Sequence, residues 1–481
     1  MWAFCANPSW FSTLYMACLT LGFHLWHEAI VVIIPKPNKP DYSTLKAYRP
    51  ISLLECIGKL LEKVVATCFL SDVNVFSLIP TNQFGSRDYS SAVDAAMAIA
   101  HNAESCLQSG TIGAMVLFDI QGFFDNISIP RLIRLCTDLG FPVAMCNWLS
   151  SFLHDRLVRL SFNGFSSNPI TLDHGIPQGS PLSPILSTIF TSPLLKLINS
   201  SWWLWTLAMF VDDGSIFATG GTFRDASRSA LSGFEQVLGW LHRNGLRADW
   251  EKTEFITFGH KHAHVGSPPD RVAIRDPTQG EYNVTRSTRV RYLGVFFHKR
   301  LDWSHHATIV SNRARSIVRA LAILGNSIRG LHFASWWKVF HAIILPILTY
   351  ASPVWFSART KKKVLTILAT ILQTAQNDAI CKISGCFKTT PTNALHHLLA
   401  ILPIKFTLMK LHLNSIDRLE CLPPSSQLHT SHTLNPVKLW PDFLPLRTCL
   451  PPPLESPPLF AFPNHPSETK WSHPRFSHSY L

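Results

Sequence analysis

The sequence predicts a mixed α/β fold of the α+β kind, and three patterns predict it. An apolar run over residues 113–118 reads as a strand that delivers Asp119 at its end. Residues 207–211 and 215–219 read as two strands joined by a tight turn at Asp212 and Asp213. Segments with helical periodicity separate these strands, and from about 303 to 400 the pattern is helical and basic throughout.

From the start of the chain, residues 4–25 are apolar. Pro8 interrupts this stretch, no basic cluster precedes it, and His24 and His27 close it. It reads as a buried helix, with a membrane or signal segment as the alternative. Residues 29–34 (AIVVII) are a β-branched run stopped by PKPNKP. That is a strand followed by a basic, proline-stiffened loop carrying Lys36 and Lys39. Residues 53–70 and 91–107 have helical periodicity. After Asp119, Pro130 suits the first turn of a helix running to about Gly140. Residues 158–162 and 166–172 form a hairpin about Asn163 and Gly164. The loop GIPQGSPLSP leads into a helix over 182–198. The apolar stretch 201–210 is too short to span a bilayer and runs directly into the two aspartates. An amphipathic helix over 223–245 follows, then strands over 254–258 and 291–297. From residue 403 the chain turns Pro- and Ser-rich, a composition expected to stay disordered to residue 481.

The chain's 481 residues suffice for two to four domains, and its 47% hydrophobic content can fill a sizeable core. Its 43 Lys and Arg against 30 Asp and Glu leave a net charge of +13, which favours an anionic partner. Nucleic acid and anionic membrane both qualify on charge alone. The 11 cysteines are scattered without a CxxC pair, and no His cluster beside Cys381 and Cys386 completes a zinc knuckle. Free thiols in a reducing compartment are the reading, against a metal site or a disulfide framework.

Asp119 is far in sequence from the adjacent pair Asp212 and Asp213, so only folding brings them together. A strand–turn–strand projects Asp212 beside the end of a paired strand carrying Asp119. Carboxylates converging there repel one another unless cations intervene. Hard divalent cations with oxygen ligands, Mg²⁺ first, meet that need. A pair of such ions serves in-line displacement at phosphorus, one activating a 3′-hydroxyl and the other steadying the departing pyrophosphate. Adjacent aspartates alone more often cap helices or face solvent. The apolar strand–turn–strand setting, with a second strand-end Asp upstream, favours chemistry.

LFDIQGFFDN, GIPQGSPLSPILS and MFVDDGSIFA, in that order, resemble polymerase motifs A, B and C of reverse transcriptases. AIVVIIPKPNKPDYSTLKAYRPISLL resembles the fingers block of LINE-type, non-LTR retrotransposon enzymes, and NQFGSRDYSSAVDAA the block after it. GLRADWEKTEFITF resembles motif D, RVRYLGVFF the primer-grip motif E, and AQNDAICKISGCFKTTPTNALHHLLAILPI the thumb-end segment. The likeness covers about residues 1–405. It implies a right-hand polymerase with fingers over 1–111, an antiparallel-sheet palm over 112–300, a helical thumb over 301–402 and the tail beyond. It implies an RNA-directed DNA polymerase that copies an RNA template from a DNA primer with dNTPs, using two Mg²⁺ (or Mn²⁺) ions, in the nucleus or cytoplasm and without a membrane.

Residue roles follow from the resemblance. Asp119 and Asp212 would hold metal with Asp213 assisting, and the carbonyl of Ile120 would complete one shell. Phe124 occupies the steric-gate position, where an aromatic face collides with a ribose 2′-hydroxyl. Gln178, Gly179 and Ser180 fall in the loop that packs against template and nucleotide. Arg49 matches the fingers arginine that grips the triphosphate, its planar fork suiting phosphate oxygens, with Lys36 and Lys39 nearby. Lys252 matches the motif D lysine that supplies a proton or charge to the leaving group. Asp125 is expected to order the turn. In the thumb, Arg313, Arg315, Arg319, Arg329 and Lys338 would track phosphates. Trp336 and Trp337 would either stack on bases or pack in the helical core.

Phe123 departs from the family, which usually has alanine there, and a larger side chain is expected to crowd the nucleotide pocket. Neither an endonuclease nor an RNase H pattern is present, so the resemblance is to a truncated element copy. Three rivals stand beside this reading, one of them a membrane protein anchored by residues 4–25. A viral-type RNA-dependent RNA polymerase is opposed by Phe124 and by valine before Asp212. A catalytically impaired remnant that only binds nucleic acid is motivated by Phe123 and the missing partner domains.

Overall fold

The computed structural model describes residues 8–37, 39–199, 205–260, 266–278, 280–321, 332–357, 362–387 and 389–422, and Leu428. The chain divides into two units, Met1–Lys438 and Leu439–Leu481, and the second lies wholly outside the described residues.

In the first unit, α1 (Pro8–Leu21) precedes β1 (Glu28–Pro35) and β2 (Tyr48–Leu54). α2 (Cys56–Val75) and α3 (Ala92–Ser109) follow, then β3 (Ile112–Phe118). α4 (Ile129–Asp138) and α5 (Val143–Leu153) lead to β4 (Arg156–Phe162), β5 (Phe165–Ser166) and β6 (Ile170–Leu172). α6 (Ser183–Asn199), β7 (Trp205–Phe210), β8 (Asp213–Gly220) and α7 (Phe223–Arg243) come next. β9 (Glu254–Phe258), β10 (Arg271–Asp276), β11 (Gly280–Ser287), β12 (Arg289–Tyr292) and β13 (Val295–His298) close the strand-rich part. The helices beyond include α8 (Ser304–Leu321), α9 (Phe333–Val339), α10 (Lys362–Ser384), α11 (Thr392–Leu398) and α12 (Ile404–Glu420). The mixed α/β class read from the sequence is the class observed.

The main sheet runs β10–β11–β9–β3–β8–β7 and is antiparallel except where β11 meets β9. β3 lies inside it, between β8 and β9, and every residue of β3 is buried. That accounts for its unbroken apolar sequence, since a strand covered on both faces cannot alternate. α7 packs on this sheet through Phe223, Ala230, Phe234 and Val237, and its Thr222 cap accepts from the Asp225 N–H. A second sheet runs β2–β1–β4–β5 with β6 on β4, and β12–β13 form a separate hairpin.

Several expectations are corrected. The N-terminal helix is a surface element: of its described side chains only Tyr15 and Cys18 are buried. Residues 48–54, expected as loop and helix start, form β2, because Pro50 ends helical geometry and Ile51 and Leu53 alternate. Residues 291–297 are no single strand. Leu293 (φ 46°) and Gly294 (φ 84°) turn the chain between β12 and β13. The disordered tail does not begin at 403, since α12 occupies Ile404–Glu420 and buries Leu408, Leu413 and Ile416. Residues 429–481 of that tail lie outside the described residues. The helical stretch Ala334–Trp355 is long and apolar enough to cross a membrane. It is interrupted by a π-helical turn at Phe340–Ile344 and by Ala351 at φ 52°. Phe340, Ile344, Leu348 and Trp355 are all buried in it.

Candidate active site

The sheet register does what the sequence alone could not. β3 pairs with β8 from Ile112 opposite Gly220 to Phe118 opposite Gly214. One step further along the same ladder, Asp119 comes level with Asp213. β7 and β8 close at Phe210 opposite Asp213, which leaves Val211 and Asp212 as the turn. All three aspartates therefore emerge at one end of adjoining strands. Gly214 permits this close fit: a Cβ there would stand 2.1 Å from the Phe118 ring.

The electrostatics follow from this convergence. Burial, then the charges of Asp119 and Asp213, push the Asp212 carboxyl up to about 7. Burial and Asp119 push Asp213 up to about 6. Lys252 counters both. Its ammonium is hydrogen-bonded to Asp119 and lies 3.4 Å from Asp249. Burial alone would lower the Lys252 pKa, but these two carboxylates raise it. The Asp249 N–H donates to the carbonyl of Asp119 at 2.8 Å, and the Gln121 N–H to that of Arg247 at 2.9 Å. These bonds straddle an isolated bridge between Ile120 and Ala248. The Ile120 carbonyl takes no part in them, and Ile120 is itself buried.

Cations face this cluster from the second sheet. Arg49 stands opposite Ile34 in the β1–β2 ladder and is exposed. Lys36 donates to the Lys46 carbonyl at 2.9 Å. Burial, then Lys252, Arg49 and Lys39, hold its pKa down, so the four cations share one field. Lys46 pairs with Glu251 at 3.1 Å across the opening.

Gln178, Gly179 and Ser180 lie in the loop between β6 and α6, against β2. The Ser52 N–H donates to the Gln178 carbonyl at 2.7 Å. Gly179 has φ +134°, and a Cβ there would meet the Ser52 carbonyl oxygen at 2.2 Å, so only glycine fits. Ser180 is buried beside Glu62, whose carboxyl burial pushes up while Ser180 bonds to it. The Phe124 carbonyl accepts from the Ile176 N–H at 2.7 Å, which joins the segment after Asp119 to the start of this loop. Phe124 is half-buried. Phe123 is fully buried and packs against Phe190, so the expected crowding of the nucleotide pocket is overturned. The short helix Phe123–Asn126 turns residue 123 inward and residue 124 toward the surface.

Sequence reasoning missed two positioning residues. Asp249 orders Lys252, and Arg156 is buried with its guanidinium donating to the carbonyls of His174 at 2.6 Å and Gly175 at 2.8 Å. An arginine opening an apolar strand was the available signal. Among the thumb candidates, Arg315 is engaged by Asp378 at 2.8 Å and by Thr374 at 2.7 Å. Trp336 is buried, and the Trp337 indole N–H donates to the Leu399 carbonyl, which favours packing over base stacking. Arg329 lies outside the described residues.

Among the described residues no three His, Cys, Asp or Glu side chains close a metal cage by themselves. The donor set nonetheless fits a hard divalent cation. It is all oxygen, its members repel, and a protonated amine currently neutralises Asp119.

A mainly antiparallel sheet thus presents its strand-end carboxylates toward cations carried by the second sheet and the loop after β1. The chain belongs to the reverse transcriptase (RNA-dependent DNA polymerase) family, whose model matches residues 34–297. Members of this family generally use divalent metal ions. It is similar to a probable RNA-directed DNA polymerase from transposon BS of Drosophila melanogaster, 26% identical over 78% of this chain and 40% of that protein. It is also similar to the RNA-directed DNA polymerase from mobile element jockey of the same species, 24% identical over 71% and 37%. The chain thus spans about 40% of the length of these relatives. A telomerase structure from Candida tropicalis with a fragment of telomeric RNA aligns over 88% of this chain and 67% of that one, at 12% identity and a TM-score of 0.42.

Proposed function

We propose that this chain is an RNA-directed DNA polymerase that adds dNTPs to a DNA primer along an RNA template. The observation that carries the reading is the convergence of Asp119, Asp212 and Asp213 on adjoining strand ends, where burial first and the neighbouring carboxylates second raise the pKa values of Asp212 and Asp213. In this reading residues 1–111 act as fingers, 112–300 as palm and 301–402 as thumb.

Asp119, Asp212 and Asp213 would hold two divalent ions, Mg²⁺ or Mn²⁺, with the Ile120 carbonyl available to one of them. When bound, such ions lower the pKa of a primer 3′-hydroxyl and stabilise charge on the pyrophosphate. Arg49 and Lys36 bind the triphosphate from the second sheet. Gln178, Gly179 and Ser180 form the wall against which base and template rest. Phe124 excludes a 2′-hydroxyl. Lys252, hydrogen-bonded to Asp119, would donate a proton or a hydrogen bond to the leaving group.

The test is primer extension on poly(rA)–oligo(dT) with dTTP and Mg²⁺ or Mn²⁺. The expected result is incorporation that Asp212→Ala reduces by at least about a hundredfold, the scale of losing a group that stabilises transition-state charge. Equal incorporation by the two proteins, or none by either, would defeat the reading. Greater use of rNTPs than dNTPs would move the assignment to an RNA polymerase.

A further inference from the structure

The turn that carries the two aspartates is braced from outside its own hairpin. Val211, the first of the two turn residues, has φ 61°. Positive φ at that position is ordinarily a glycine conformation, and for a β-branched residue it is strained. Such a conformation persists only where its surroundings over-determine it.

Gln83 supplies that determination. It is fully buried. Its Oε1 accepts from the Val211 N–H and from the Gly85 N–H, each at 3.1 Å. Its Nε2 donates to Thr191 Oγ1 on α6 at 3.2 Å. Two N–H donors on one side and a hydroxyl on the other fix which way the amide points. The backbone of the same segment is tied to β7: the Phe84 N–H donates to the Met209 carbonyl at 2.8 Å, and the Met209 N–H to the Asn82 carbonyl at 2.9 Å. Gly85 presses on the turn, where a Cβ would stand 2.6 Å from Val211 Cγ2.

We propose that Gln83 is a positioning residue for the turn. Its amide holds Val211 in the left-handed conformation and thereby sets where Asp212 and Asp213 stand relative to Asp119. The proposal rests on reading those aspartates as the metal-binding set.

Gln83→Leu removes all three bonds at similar volume. In the full chain, three quantities are read well below the melting midpoint. They are deuterium uptake across residues 205–213, Mn²⁺ affinity by electron paramagnetic resonance, and steady-state dTTP incorporation. The expected pattern is faster uptake confined to that segment, Mn²⁺ affinity weakened about fivefold or more, and kcat lowered about 10- to 100-fold with KM changed less than about threefold. Adding Val211→Gly, which removes the conformational strain, is expected to recover part of the kcat. Unchanged uptake overturns the proposal. So does a lower melting temperature accompanied by normal Mn²⁺ affinity and kcat, the mark of a merely structural residue. Should Gln83→Leu fail to fold, Thr191→Val removes only the bond that aims the amide. It is expected to give the same pattern more weakly, and normal behaviour in it overturns the proposal equally. If the wild-type chain shows no Mn²⁺ site that Asp212→Asn abolishes, the functional reading itself fails. If it does and Gln83→Leu matches it, only the role of Gln83 fails.

Discussion

Asp212 and Asp213 differ from surface aspartates because burial and their neighbours favour the protonated form. Their folded-state values, about 7 and about 6, lie above the ordinary 3.8. The folded chain therefore binds protons that the unfolded chain has released. The stability these groups contribute is present in full below about 3.8 and is lost as pH rises through about 6 and 7. Without divalent cation, thermal melting followed from about pH 4 to about pH 8 is expected to show wild type falling relative to Asp212→Asn. Mg²⁺ or Mn²⁺ at the upper end restores wild type selectively. Parallel curves for the two proteins would contradict this. At the neighbouring position, Phe124→Val is expected to relax sugar selection. The dNTP-over-rNTP preference in primer extension should fall about 10- to 100-fold, the scale of a lost steric contact. No change in that ratio would remove Phe124 from the gate. Both acidic positions were legible in the sequence because strand ends and turns have local signatures. The inward turn of Phe123 was not, because which of two adjacent phenylalanines faces the core depends on helix rotation against Phe190.

At the scale of elements, the loop between β6 and α6 is held by backbone contacts that a glycine makes possible. Gly179→Ala forces a Cβ onto the Ser52 carbonyl, so the bond from Ser52 to Gln178 must lengthen or break. The expected outcome is a destabilisation above about 1 kcal/mol in denaturant melts together with a raised KM for dTTP. A variant indistinguishable from wild type in both would show that β2 does not position the loop. The β12–β13 hairpin illustrates the limit of periodicity. RVRYLGVFF runs without a polar residue from Tyr292 through the turn, so only the pairing of Tyr292 with Val295 reveals it. The Tyr350 hydroxyl, donating to the Leu293 carbonyl at 2.7 Å, fastens that turn to the helices beyond.

Across the whole molecule, the C-terminal helix is tied back to the N-terminal part of the chain. Arg418 on α12 is hydrogen-bonded to Asp94 on α3, which is 1% exposed, and its second amine lies 3.4 Å from the Tyr89 carbonyl. Asp94 also accepts from the Ser91 hydroxyl at 2.7 Å as part of the α3 cap. Arg418→Ala leaves a buried carboxylate with one partner fewer. The expected cost is about 1–3 kcal/mol, read as a lower melting temperature. An unchanged melt would mean that α12 is held by its apolar face alone. Composition by itself assigned residues beyond 403 to a tail, because over 403–481 as a whole the prolines outweigh one helix that contains none. What the sequence determined unaided was the chemistry on offer and its order along the chain: three carboxylates, a basic loop, a glycine-centred loop, and strands and helices marked by their apolar periods. What tertiary structure alone decided was which of these groups meet. Convergence of Asp119 with Asp212 and Asp213, the burial of Phe123, and the brace from Gln83 to Val211 all depend on pairings between segments distant in the chain. Local propensity carries no information about such pairings, and packing of the whole core selects them.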